Sequence, residues 1–357
     1  MSKYLLIDGN NLGFRCAFAN SELKNKDGLF SGVHYGVFQS LIGLRERFDD
    51  FKFLIIWDSK SARRITEAQA AVDKGLIKSG YKENRKPKEG EEADPIVVAY
   101  KEQLPYLKQA LDKAGFAQIR LDDYEADDVI ASYANALKGH TVVLMTSDKD
   151  FYQTLDDHVS IWNGMKSEMV TKEDFINKNK IQPHQHIDCG ALMGDAGDNI
   201  FGIPGWGEVT ALKAIAQYGS WQNVLDEFDK KYSKHRENYP DLEDEAEFKE
   251  LASILTKSGK PKYPEIHLGM PYTGVALALE RKKIKSIPKA HLMALMFRTR
   301  IELAYSLKKI DNDIEDLPDV VNPEFDREKV VEYFKYFDIM SLVSEVDKLR
   351  EGSLTTT

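Results

Sequence analysis

The first half of this 357-residue chain predicts an α/β fold with a mostly parallel sheet flanked by helices. Three observations predict it. Tyr4–Ile7, Phe53–Trp57 and Thr141–Met145 are short, mostly apolar runs of strand length, and Gln118–Leu121 reads as a further strand. Segments with helical spacing of apolar residues separate them, and strands alternating with helices build parallel sheets. Carboxylates stand where most of these runs end, or on the first turn of the helix that follows. Such a sheet collects its active-site residues there.

Taken in order, Tyr4–Ile7 is a buried strand that ends at Asp8, and Asn10 is placed to cap the next helix. Val33–Phe48 carries Val37, Leu41 and Leu44 at helical spacing. Phe53–Trp57 ends at Asp58. Residues 59–94 are polar and belong to no evident core element. Pro95 opens a helix that reaches Ala114. Gln118–Leu121 is a strand, and Tyr124–Leu137 a helix with Val129, Ile130, Tyr133 and Leu137 on one side. Thr141–Met145 leads to Asp148. Beyond residue 170 the strand signals fade. Thr171 caps a short helix, and Pro183–Met193 and Glu208–Tyr218 are helical, with the tight turn Gly202–Gly207 between them. Residues 232–275 read as an insertion. Ala290–Lys308, Arg327–Phe337 and Ser341–Arg350 are closing helices, and 351–357 a disordered tail.

Cys16 and Cys189 are the two cysteines, which fits no disulfide framework, no zinc site and a reducing cytosol. The apolar run after the N-terminus meets Asp8 within a few residues, too soon for a signal peptide or a membrane span. The net charge of −9 looks wrong for a nucleic-acid binder. Its distribution is uneven, however. Arg281, Lys282, Lys283, Lys285, Lys289, Arg298 and Arg300 fall in 281–300 without an acid. Lys78, Lys82, Arg85, Lys86 and Lys88 fall in 78–88 beside one glutamate. Local stripes matter more to DNA than the sum, although each stripe alone reads as a solvated helix face.

Nine carboxylates carry the chemistry: Asp8, Asp58, Glu125, Asp127, Asp128, Asp148, Asp150, Asp195 and Asp198. Alone, Glu125, Asp127 and Asp128 read equally well as an acidic helix start, and Asp148 and Asp150 as a capping turn. Together they read as a metal constellation, because so many anions at one edge stay ionised only around divalent cations. No His or Cys joins them. Oxygen-only ligation selects Mg²⁺, or Mn²⁺ in its place. Two such ions, roughly 3.5–4 Å apart, activate water and stabilise the leaving oxygen of a phosphodiester.

Two further motifs suit nucleic acid. Gly202, Gly205 and Gly207 in GIPGWG let a backbone approach phosphate at a helix start, with Lys213 on that helix. The plainer alternative is an ordinary interhelical turn. Tyr81, Lys82 and Arg85 offer a ring for a base and two cations for a phosphate, or form an ordinary exposed loop.

DGNNLGFR, IIWDSK, GYKENR, YEADDV, TSDKDF and GDAGDNIFGIPGWGEVTALK together resemble the 5′-nuclease superfamily. That superfamily includes the 5′→3′ exonuclease domain of bacterial DNA polymerase I, phage 5′ exonucleases and flap endonucleases. The resemblance spans about 1–350, with 232–275 the main departure. No polymerase domain follows, so the expected form is the stand-alone one. The resemblance implies a PIN-like core over 1–180 with a helical arch or clamp near 75–95. It also implies a helical region over 181–350 with a helix–three-turn–helix DNA-binding element at 202–207. Asp8, Asp58, Glu125, Asp127 and Asp128 then serve one metal, and Asp148, Asp150, Asp195 and Asp198 the other. Tyr81, Lys82 and Arg85 match arch residues. Arg15, and Arg63 or Arg64, match phosphate contacts less closely. A K⁺ at the hairpin is implied. The expected activity is Mg²⁺-dependent 5′→3′ exonuclease and 5′-flap endonuclease action in replication or repair. Its expected partners are DNA with 5′ single-strand/duplex junctions and RNA–DNA hybrids, in the cytoplasm of a bacterial or phage-infected cell. A monomer with no membrane and no small-molecule cofactor is expected. A PIN-type ribonuclease acting on single-stranded RNA is the rival enzyme, and an inactive junction scaffold the rival binder.

Overall fold

The computed structural model describes residues 1–74, 76, 77, 79–85, 92–203, 205–233, 291, 294, 295 and 297–351. The chain divides into two compact units. One comprises 1–61, 87–174 and 310–357, the other 62–86 and 175–309.

The first unit is an α/β fold around a six-stranded sheet. Its strands are β1 (Lys3–Asp8), β2 (Lys52–Ile56), β3 (Ala117–Ile119), β4 (Thr141–Met145), β5 (Val159–Asn163) and β6 (Glu168–Val170). They lie in the order β3-β2-β1-β4-β5-β6. All neighbours run parallel except β5 and β6. Leu5, Leu6 and Ile7 of β1 are wholly buried, as a central parallel strand covered on both faces requires. Leu6 stands in register with Leu54 on one side and Leu144 on the other.

The helices of the chain are α1 (Gly9–Ala19), α2 (Gly32–Arg47), α3 (Ala62–Asp73), α4 (Pro95–Lys113), α5 (Ala126–Ala136), α6 (Lys172–Asn179), α7 (His186–Met193), α8 (Glu208–Tyr218), α9 (Trp221–Tyr232), α10 (Arg298–Lys308) and α11 (Arg327–Tyr336). In the first unit, α1, α2, α4 and α11 share one core with Leu5, Ile7, Phe53 and Ile55. On α4, Asp94 accepts the Ile96 N–H at 2.8 Å and Pro95 occupies the first turn, where its missing N–H costs nothing. The cap of α1 differs from expectation. Asp8, not Asn10, accepts the Asn11 N–H at 2.9 Å, because the helix begins directly after the strand. Asn10 instead accepts the N–H of Asp58. The segment after α11, Met340–Leu349, returns to α2. There the buried Arg45 guanidinium donates to the carbonyls of Leu349 and Phe51 and lies 3.8 Å from the Phe53 ring centroid.

The second unit contains α3, which polarity alone concealed. Its buried side is Arg64, Ala68 and Ala71. Arg64 donates to the Leu307 and Lys309 carbonyls, each at 3.0 Å, and Arg63 to those of Ser306 and Lys309. Both guanidiniums therefore cap the C-terminal end of α10, where unpaired carbonyls and the helix dipole favour cations. Between α7 and α8 the chain makes a close return. A Cβ on Gly202 would stand 1.7 Å from the Met193 carbonyl oxygen, so only glycine fits. The 232–275 insertion lies almost wholly outside the described residues, as do 281–290 and the last six residues. No helix among the described residues is long and apolar enough to cross a membrane.

His34 ties α2 to two other helices of the first unit. It is fully buried, and Tyr333 O–H donates to its Nδ1 at 2.5 Å while Nε2–H donates to Gln103 at 3.2 Å. Burial draws its pKa down to about 4. The folded chain thus holds His34 neutral where the unfolded chain protonates it, near 6.5. Its contribution is complete above about pH 6.5 and falls by about 1.4 kcal/mol per pH unit toward pH 4. Urea midpoints between pH 7 and 4.5 should fall more steeply for the wild type than for His34→Gln. Equal slopes would remove His34 from the acid sensitivity.

Candidate metal centre

The chain leaves β1 toward β2 and β3 on one side, then crosses to β4 on the other. The C-terminal ends of β1 and β4 flank the place where the strand order reverses, and open α/β sheets bind ligands there. Asp8 is the last residue of β1, and Asp58 follows β2. Glu125 stands at the N-cap position of α5 without a side-chain cap bond, and Asp127 and Asp128 lie in its first turn. Asp148 caps the 3₁₀ segment Lys149–Thr154 after β4, with Asp150 in its first turn. These seven acids belong to the first unit.

Hydrogen bonds fix their orientation. Asp58 accepts the Ala126 N–H at 2.9 Å, tying the end of β2 to the start of α5. Asp148 accepts the Asp150 N–H at 2.8 Å. Ser147 donates to Asn11 at 3.1 Å and joins the end of β4 to α1. Asp127 accepts the Asp128 N–H. Asp128 is 1% exposed and accepts the N–H of Asp311 at 2.9 Å, so part of its work is to anchor the returning C-terminal segment.

Electrostatics show which acids act on one another. Burial, and then the Asp58 carboxylate, push Asp8 up to about 8. Asp148 and Asp127 add to the rise, and the Asn11 N–H opposes it. Among the described residues no three His, Cys, Asp or Glu side chains are grouped closely enough to hold a metal ion by themselves. The aspartates at the switch point raise the cost of ionising Asp8, and a divalent cation would offset that cost. The donor set fits such an ion: it is all oxygen, it stands at the switch point, and Asp8 resists ionising without a counter-charge.

Asp195 and Asp198 lie in the second unit, each engaged by cations. Asp195 receives the Lys308 ammonium at 3.0 Å, and Lys308 is 8% exposed. Burial pushes the Asp195 carboxyl up, but Lys308 and the Gly197 and Asp198 amides outweigh it and hold it below the ordinary value. Asp198 receives the Arg85 guanidinium and the Tyr81 hydroxyl, with Lys82 Nζ at 3.9 Å. The backbone reinforces this clasp. Lys82 N–H donates to the Asp198 carbonyl at 3.0 Å, Asn84 to that of Ala196 at 2.6 Å, and Arg85 Nε to that of Gly197. Asn199 donates in return to the Ser79 and Gly80 carbonyls, each at 2.9 Å. The YKENR motif and the GDAGDN motif thus interlock within one unit.

Gly205, with φ of +88°, and Gly207, the N-cap of α8, face open space on the exposed turn before that helix. Lys213 is exposed on α8. Of the basic 281–300 stripe, 281–290 lie outside the described residues. Arg298 pairs with Asp226, and Arg300 is buried with Phe201 and Phe297 rather than displayed. Sequence reading missed Lys308, Asn84 and Asn199 as partners of the acidic loop. Asn84 and Asn199 sit inside quoted motifs, whereas Lys308 has no local signal.

Comparison with known proteins identifies the family. Residues 3–180 match the family described as 5′-3′ exonuclease, N-terminal resolvase-like domain, and 181–264 match 5′-3′ exonuclease, C-terminal SAM fold. The 5′-3′ exonuclease of Aquifex aeolicus is 32% identical over 242 residues, covering 67% of this chain and 76% of the relative. DNA polymerase I of Bacillus subtilis is 32% identical over 262 residues, covering 71% of this chain. The matched region spans only 28% of that polymerase. A solved structure of T5 5′-exonuclease with bound zinc ions is similar at 25% identity and a TM-score of 0.51, covering 63% of this chain and 79% of that one. The catalytic core of Rad2 in complex with DNA shares the fold, with a TM-score of 0.54 over 98% of this chain and 93% of that one, at 15% identity.

The raised Asp8 pKa has a measurable consequence. Without a cation, stability should fall as pH rises from about 4 to about 8, because the fold must give up the proton that Asp8 prefers to keep. Mg²⁺ should reverse the loss and release nearly one proton per chain at pH 7. Calorimetry in buffers of different ionisation enthalpy reads that proton. Mg²⁺ stabilisation with no proton release would contradict the assignment, and Asp8→Asn should flatten the pH dependence.

Proposed function

The chain belongs to the 5′-3′ exonuclease family, and on that premise we propose that it is a divalent-metal-dependent, structure-specific DNA 5′ nuclease acting in replication or repair. The observation that carries this reading is the mutual action of Asp8, Asp58, Asp127 and Asp148 at the sheet's switch point. Asp8, Asp58, Glu125, Asp127, Asp128, Asp148 and Asp150 are the proposed holders of Mg²⁺, with Mn²⁺ as substitute. Asp195 and Asp198 remain ligand candidates on their motif. When bound, two such ions activate water and stabilise the leaving oxygen of a phosphodiester.

The chain's own groups supply binding and orientation. Gly205 and Gly207 leave the backbone before α8 open to a phosphate, and the first amides of that helix point outward at its positive end. Lys213, exposed on the same helix, adds a charge that reads no sequence. This turn is the proposed helix–three-turn–helix element, whose carbonyls also suit a K⁺. Tyr81, Lys82 and Arg85 are the proposed arch residues, offering a ring to a base and two cations to a phosphate. They reach DNA by exchanging the Asp198 carboxylate for a phosphate of like charge. The core is PIN-like on this reading, and the substrates extend from DNA junctions to RNA–DNA hybrids. The protein works as a cytoplasmic monomer.

A 5′-flap duplex labelled at the 3′ end of the flap strand tests the reading. Mg²⁺ should give cuts near the junction or a mononucleotide ladder, and Asp150→Asn should slow them by about a hundredfold or more. Cleavage within a few-fold of wild type in that variant would defeat the metal-centre assignment. Faster cutting of single-stranded RNA than of the flap would defeat the substrate.

A further inference from the structure

Tyr100 of α4 lies 1% exposed beside the acid cluster, and no sequence motif marks it. Its ring packs on Phe14, with centroids 4.3 Å apart. Gly13 of α1 makes room for the phenol: a Cβ there would stand 2.7 Å from the hydroxyl oxygen. Among the described residues the hydroxyl has no hydrogen-bond partner. Buried hydroxyls are nearly always paired with protein or water, so this one is aimed at something the described residues do not supply.

Its surroundings indicate what that is. Burial raises the Tyr100 pKa, and the charges of Asp58 and Asp8 raise it further. The proton therefore stays on the oxygen, and the phenol is a donor. The direction of those charges places it on the Asp8–Asp58 side of the cluster. Gly13 makes room for the ring edge and the hydroxyl alike, each 2.7 Å from where its Cβ would stand, and an apolar contact alone would be served as well by phenylalanine.

We propose that the Tyr100 hydroxyl is a positioning group for the acid site, donating to an oxygen ligand lodged there. That oxygen belongs to water in the free protein and to a phosphate once DNA is bound. The proposal rests on the reading of Asp8 and Asp58 as cation-holding residues. No bond forms or breaks at Tyr100. It orients the oxygen and limits its exchange.

Tyr100→Phe keeps the ring and removes only the donor. Two titrations read it: Mg²⁺ affinity of the free protein from thermal shifts, and flap-DNA affinity in Ca²⁺. We expect the cation-free melting temperature to stay level or rise, since an unpaired buried hydroxyl is removed. At least one of the two affinities should fall by about three- to tenfold, the size of one hydrogen bond. A loss in Mg²⁺ affinity assigns the water, and a loss confined to DNA assigns the phosphate. Unchanged affinities in both arms overturn the proposal, as does a lowered cation-free melting temperature with both affinities intact. If Mg²⁺ fails to stabilise the wild type, the cation site itself fails. If it stabilises wild type and variant equally and DNA binds both alike, only Tyr100 fails.

Discussion

The parallel pairing of β1 with both β2 and β4 is the constraint on which the first unit depends. A strand with parallel neighbours on both sides needs a crossover to each, and the two crossovers leave in opposite directions. Where they part, the carboxyl ends of the strands open a crevice. Asp8 and Asp148 stand at that opening, and Asp58 follows the strand beside it. The sheet thus brings together acids from distant parts of the chain without any long-range side-chain code. Local capping then orients them, since Asp8 and Asp148 each bind an amide of the segment they start.

Much of this was readable in the sequence because apolar runs and carboxylates at their ends are local signals. The strands at Tyr4–Ile7, Phe53–Trp57 and Thr141–Met145 carry unbroken apolar residues, and the observed strands differ by a residue or so at each end. What escaped was set by partners far away in sequence. Helix α3 has too polar a sequence to announce itself, because the largest group on its buried side is Arg64, whose guanidinium is satisfied by carbonyls some 243 residues on. The pair β5 and β6 lacks that apolar continuity and forms against an existing sheet edge. Lys308 is invisible for the same reason: its role exists only where α10 passes Asp195.

Charge illustrates the same limit from another side. A net charge of −9 suggests little affinity for a polyanion. Within the second unit, however, the acids of the 195–198 loop are matched by Lys308, Lys82 and Arg85. The cations of the YKENR motif are therefore held in place by an internal anion rather than left to wave in solvent. On the proposed reading, a phosphate replacing Asp198 would meet side chains already ordered, so less rotamer entropy would be lost on binding. Exposure still limits the strength of each pair, and Arg85 is largely solvent-facing. The clasp is thus better suited to exchange than to permanent closure.

Two influences on Asp8 oppose each other. The Asn11 amide favours the ionised carboxylate, as any cap does, and contributes about 0.5–2 kcal/mol. Burial and the three neighbouring aspartates oppose ionisation, and they win, since the net shift is upward. A fold selected for stability alone would place an uncharged cap such as Ser or Asn at this position, keeping the hydrogen bond and losing the repulsion. Retaining Asp58, Asp127 and Asp148 close enough to disfavour the Asp8 carboxylate costs stability. Binding a species with concentrated positive charge returns it, and with all-oxygen donors that species is a hard divalent cation.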